Sequence, residues 1–95
     1  MRQITRDAIN AFTSNVPFSR DNTTVHVSDD ATIMRLHGNL IAKKINGELF
    51  ITDAGWDTMT TKERLNGLPG VQITQKKSIW YLNGEQWDGE MIKIS

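Results

Sequence analysis

LIAKKINGELFITD, residues 40–53, spells out a β-hairpin in a single stretch. Asn46 and Gly47 both tolerate positive φ, which a two-residue type I′ turn requires. With the turn there, Ile45 faces Glu48, Lys43 faces Phe50 and Ile41 faces Thr52. Lys44 then faces Leu49, Ala42 faces Ile51 and Leu40 faces Asp53. Side chains alternate between the faces of a strand, so these two sets lie on opposite sides. The face with Leu40, Ala42, Leu49 and Ile51 is expected to be the core side. The other carries Ile41, Ile45 and Phe50 beside Lys43 and Glu48. It is half apolar, and is expected either to lie under a helix or to meet a partner.

The neighbouring segments extend this hairpin. TTVHV (23–27) alternates as a strand, Ser28-Asp29-Asp30 turns, and Ile33 to His37 forms a second strand. Gly38-Asn39 is expected to be the tight turn into Leu40. Further upstream, Ile4, Ala8, Ala11 and Phe12 share one helical face, and the helix should stop near Asn15, ahead of Pro17. Ser19 to Asn22 reads as a polar loop. Downstream, Thr60 and Glu63 have capping-box spacing, which predicts a helix over Thr61–Asn66 ending at Gly67. Strands follow over Val71–Gln75 and Ser78–Leu82, with Lys76-Lys77 at the turn. Asn83-Gly84 then places Trp80 opposite Trp87. Asp88-Gly89 turns into a last strand, Met91–Ile94. The expected fold is one α+β domain over residues 1–95: an N-terminal helix, an antiparallel β-meander, a short second helix and C-terminal β-hairpin strands.

Composition narrows the chemistry. The chain has 95 residues and no cysteine, which excludes disulfides, thiolate zinc sites, iron–sulfur clusters and cysteine nucleophiles. Eleven Lys and Arg balance eleven Asp and Glu, which argues against an acidic DNA mimic and a globally basic nucleic-acid binder. His26 and His37 lack the HxxxH or HExxH spacing of a metal site, no glycine-rich phosphate loop occurs, and no GxSxG is present. No enzyme, metal or cofactor is expected. The N-terminus lacks the apolar run of a signal peptide, and no stretch approaches 18 apolar residues, so a cytoplasmic, membrane-free location is expected.

What remains is binding. Lys43-Lys44 and Lys76-Lys77 are basic pairs in or beside hairpins, and Lys62 and Arg64 add a third basic group. Trp80, Tyr81 and Trp87 stand near the second pair. Exposed aromatics on strands with basic neighbours are the pattern for stacking single-stranded bases. The simpler reading is that the lysines are solvated turn residues and the tryptophans are hairpin core. For a protein partner, the candidate surfaces are the Phe50 face, the WYLNGEQW hairpin and the edge strand Met91–Ile94.

HGNLIAKKINGELFITDAGW (37–56), then TTKERLNGLPGVQI (60–73) and QKKSIWYLNGEQWDG (75–89), after an opening helix of the TRDAINAF kind (5–12), resemble small proteins encoded by tailed bacteriophages and prophages. The resemblance covers nearly the whole chain. It implies a non-catalytic accessory protein in the host cytoplasm that binds and blocks a host defence complex. Anti-CRISPR-type inhibition of a surveillance complex is the form this would take. The partner would be a host protein or nucleoprotein complex, contacted in part through an RNA or DNA backbone. The partner-binding residues expected on the basis of charge and aromatic character are Lys43, Lys44, Arg64, Lys76, Lys77 and Trp80. The alternative function is single-stranded nucleic-acid binding in phage replication or regulation.

Overall fold

A computed structural model describes residues 1–95. In chain order it contains α1 (Gln3–Thr13), β1 (Phe18–Arg20), β2 (Thr23–Val27), β3 (Ala31–Leu36), β4 (Asn39–Ile45), β5 (Glu48–Ile51), α2 (Met59–Asn66), β6 (Ile73–Lys76), β7 (Ile79–Leu82), β8 (Glu85–Gln86) and β9 (Ile92–Lys93). Six strands form one antiparallel sheet in the order β1-β2-β3-β4-β5-β9, and three form a second, β6-β7-β8. The fold is α+β with two helices, as the sequence predicts.

Asn46 (φ 52°) and Gly47 (φ 79°) make the expected turn, and the pairs Lys44–Leu49, Lys43–Phe50 and Ala42–Ile51 result from it. The preceding turn lies one residue earlier than expected. His37 (φ 51°) and Gly38 (φ 81°) form it, and Leu36 pairs with Asn39. A one-residue shift would put the apolar set of β4 on the wrong face. A β-bulge restores the phase: Arg35 pairs with Leu40, Met34 pairs with Ala42, and Ile41 is the extra residue between them. Ile41 therefore turns inward and is 1% exposed, while Leu40 sits opposite Arg35, half-buried. The expected core position of Leu40 and the outward position of Ile41 are thus exchanged. Asp53 does not pair with Leu40. Its N–H donates instead to the Gly89 carbonyl, at 3.0 Å, as the chain leaves the sheet.

Three other expectations are corrected. Phe18–Arg20 is an edge strand rather than loop. The β6–β7 turn is Lys77-Ser78, both at positive φ, so Lys76 belongs to β6. The cap of α2 is Thr58, whose Oγ1 accepts from the Thr61 N–H; Glu63 is drawn elsewhere by Thr5 and two arginines. The C-terminal strand is short and pairs with β5, with Ile92 opposite Ile51.

The sheet has a covered and an open face. Val25, Met34, Leu36, Ala42, Leu49 and Ile51 join Ala8, Ile9 and Phe12 of α1 and Leu65 of α2 in one core, which continues into Ile73, Trp80 and Leu82 of the second sheet and Trp87 just past its last strand. Gly67, at the end of α2, has an ordinary φ of −77°. Glycine is required there by close approach, because a Cβ would lie 2.6 Å from Ile9 Cγ1. Nothing in the core packs on the opposite face, where Ile33, Arg35, Leu40, Lys43, Ile45 and Phe50 stand half-buried against one another. No helix of the chain is long and apolar enough to cross a membrane.

Candidate functional site

The residues singled out by charge and aromaticity are dispersed by the fold. Lys43 lies on the open face, its ammonium 5.4 Å from the centre of the Phe50 ring. Lys44 points to the covered face. Its ammonium donates to the Phe12 and Thr13 carbonyls at 3.1 and 3.2 Å, at the negative end of α1, and lies over the Phe12 ring. Lys76 and Lys77 are exposed on the β6–β7 hairpin of the other sheet. Trp80 is 5% exposed and packs on Trp87 with ring centroids 6.2 Å apart, the predicted cross-strand pair. Trp87 Nε1 donates to the Glu90 carbonyl, satisfying the indole.

Arg64 is 1% exposed and holds the helices together. Its guanidinium donates to Thr23 and Thr5 hydroxyls, to Glu63 Oε1 at 2.8 Å and to Asn22 Oδ1. Glu63 also accepts from Thr5 and Arg2, and the Thr5 hydroxyl is the main reason its carboxyl is held below the ordinary 4.5. Burial is the main influence lowering Arg64, followed by Arg2, with Glu63 opposing both. Arg64 and Trp80, expected to face a partner, are thus both engaged inside the fold. Lys44 is engaged at a helix end.

A surface outside that set of residues is built where β5 ends. Ala54 (φ 57°) and Gly55 (φ 86°) reverse the chain. Asp53 Oδ1 accepts from the Gly55 N–H at 2.8 Å, and the Asp53 carbonyl accepts from the Trp56 N–H. Thr52 Oγ1 accepts from the Ala54 N–H and donates to the Gly89 carbonyl. This set of bonds fixes a turn that pushes Trp56 outward, 60% exposed, followed by Met59, 80% exposed. The carboxylate of Asp53 packs so closely on Gly89 that a Cβ there would collide with it.

Two hollows meet at Asp53. One, of about 430 Å³, lies among Leu36, Ile41, Asn39, Trp56 and Thr58. The other, of about 210 Å³, lies among Asp57, Asp88, Ile79, Trp80 and Trp87. Three carboxylates, and neither Lys nor Arg, line them. No three His, Asp or Glu side chains come together in a metal-binding arrangement. The Thr58 and Thr61 hydroxyls are bonded to each other at 3.1 Å. The combination suits contact with a basic, partly apolar surface.

The family model described as Kyanoviridae Gp96 protein matches residues 1–93. The chain belongs to the Kyanoviridae Gp96 family. This is a family of phage proteins, which bears out the phage origin inferred by resemblance. The match carries neither host-defence inhibition nor nucleic-acid binding. No curated protein and no solved structure matches the chain.

Counting tryptophans only as hydrophobic volume hides this surface. Its signal in the sequence is Asp53-Ala54-Gly55: a carboxylate able to accept from the backbone two residues on, ahead of residues that tolerate left-handed φ. Such a turn ends a strand and projects the next side chains outward.

Proposed function

We propose that this phage protein acts without catalysis, by stoichiometric binding to a host protein, and that it presents the Asp53 surface. The observation that carries this reading is Trp56, 60% exposed, in the wall of a hollow that meets, at Asp53, a second one lined by Asp57 and Asp88; Met59, 80% exposed, stands three residues on, beside Arg2 and Lys62. Trp and Met are favoured interface anchors, and a Trp held on a fixed turn loses little freedom on binding. Carboxylates around an apolar anchor complement a basic partner. Host defence complexes that handle nucleic acid offer basic sites of this kind, and occupying one would exclude its ligand. The inhibitor reading therefore rests on this surface and not on the lysine pairs.

The test is recovery of host proteins on the tagged chain from nuclease-treated lysate. A discrete partner with a basic surface is expected, retained by Lys43→Gln and lost with Trp56→Ser and with Asp57→Lys. Recovery of nothing, or of the same proteins on Trp56→Ser, would overturn the proposal.

A further inference from the structure

We propose that the open face of the six-stranded sheet binds single-stranded nucleic acid along a row formed by His26, Ile33, Lys43, Phe50 and Lys93. These five residues are successive cross-strand neighbours on β2, β3, β4, β5 and β9. At the usual strand spacing of roughly 4.8 Å the row is about 19 Å long. The site is separate from the Asp53 surface and does not depend on it.

Charge selects the occupant. Of the eleven acidic residues, only Glu48 lies in a strand of this sheet. Its carboxylate is 3.4 Å from Lys93 Nζ. Arg35 and Lys43 have no carboxylate partner. Arg35 stands two residues from Ile33 on the same face, beside a shallow hollow bordered by Pro17, Ser19, Thr24 and His26. The open face thus carries two cations without a carboxylate partner, Arg35 and Lys43, while three carboxylates gather at the Asp53 turn. A polyanion is the complementary ligand for the sheet.

The ring decides between single strands and duplex. Phe50 has a lysine in each neighbouring strand, Lys43 on β4 and Lys93 on β9. A ring flanked by cations matches a base flanked by phosphates. Only an unpaired base can lay its face on the ring, and such stacking tolerates any base. Lys43 now rests over the ring, in a half-buried contact that a base would replace, freeing the ammonium for phosphate. Ile33, Leu40 and Ile45 supply the apolar floor beside it.

The measurement is fluorescence anisotropy of short labelled single-stranded DNA and RNA oligonucleotides with the full chain, across a salt series. Binding to either polymer supports the proposal, and preference for RNA would assign the contact to the 2′-hydroxyl. Three phosphate contacts predict a log–log salt slope of about −2. Phe50→Leu should weaken binding roughly 5- to 150-fold through lost stacking. Lys43→Gln should make the slope shallower by about 0.7. Trp56→Ser should leave both quantities unchanged, which separates this site from the Asp53 surface. Neither Phe50 nor Lys43 is in the core, so folding is expected to survive, and the two variants check each other. Absence of binding in low salt, equal affinity for duplex, or two variants indistinguishable from the parent chain would overturn it. So would an acidic host protein held by this face in place of any oligonucleotide.

Discussion

Lys43 and Lys44 are chain neighbours with opposite surroundings. Each places its ammonium 5.4 Å from a phenylalanine ring, Lys43 over Phe50 and Lys44 over Phe12. Phe50 is half-buried on the open face, and Phe12 is buried in the core on the covered face. Lys44 also donates to two carbonyls at the end of α1; Lys43 has no such bond. The strand pleat makes this division. One face of the sheet commits its polar groups to holding helices in place, and the other leaves them available.

The strongest way to break that comparison is to remove the polar group most deeply committed on the covered side. Arg64→Met deletes hydrogen bonds to Thr5, Thr23, Asn22 and Glu63. The expected cost is about 3 kcal/mol, a typical figure for charge-assisted bonds lost from a buried site. Urea unfolding reads it as a lower midpoint with an unchanged slope. A loss below about 1 kcal/mol would mean that the guanidinium contributes little net of its desolvation.

Gly67→Ala is next. The added methyl meets Ile9 at the contact between α2 and α1, and overpacking of this kind costs about 1–3 kcal/mol. Combined with Ile9→Ala, which removes the opposing atoms, the two losses should be less than additive by thermal or urea unfolding. Additive losses would place the strain somewhere other than the helix contact.

Much of this architecture is legible in the sequence, because turns and periodicity are local. Asn46-Gly47 sets the register of the central hairpin, and Asn83-Gly84 brings Trp80 to Trp87. The misleading features are those whose answer lies elsewhere in the chain. The turn falls at His37-Gly38, one residue before Gly38-Asn39, and the bulge at Ile41 on the facing strand returns the apolar set to the core face. Glu63 has capping spacing from Thr60, yet Thr5, Arg2 and Arg64 draw it away from the backbone. Arg64 reads as a free cation until Thr5 and Thr23 are folded against it. Of the candidate site, Lys43 and the half-apolar Phe50 face are visible as a pattern. The Trp56 turn is not, because a tryptophan carries no local mark of being expelled.

Glu63 gives a smaller effect with a sign. Its folded-state carboxyl lies below the ordinary value of 4.5, so ionised Glu63 stabilises the fold above that pH. The contribution is lost as pH falls through the folded value, when Thr5, Arg2 and Arg64 lose a charged acceptor. Stability measured from neutral pH down through this range should fall less steeply in Glu63→Gln than in the parent chain. Parallel curves would assign the acid sensitivity to other carboxylates, with Asp7, held down by Arg20 and Gln3, the first to examine.

The smallest expected effect sharpens the comparison most. Lys44→Met removes a cation from the negative end of α1 and should cost about 1 kcal/mol. Lys43→Met removes a half-buried cation–ring contact and should cost no more than about 0.5 kcal/mol, since methionine keeps the stem that covers Phe50. Binding should rank the two in the reverse order: the oligonucleotide salt slope should become shallower for Lys43→Met and stay unchanged for Lys44→Met. Neither measurement alone distinguishes a solvated lysine from a working one. The crossed ranking does, because a structural cation lowers the midpoint without touching affinity, and a cation held for a ligand does the opposite. If both lysines moved stability and neither moved the slope, the open face would be no more than the unneeded side of a sheet.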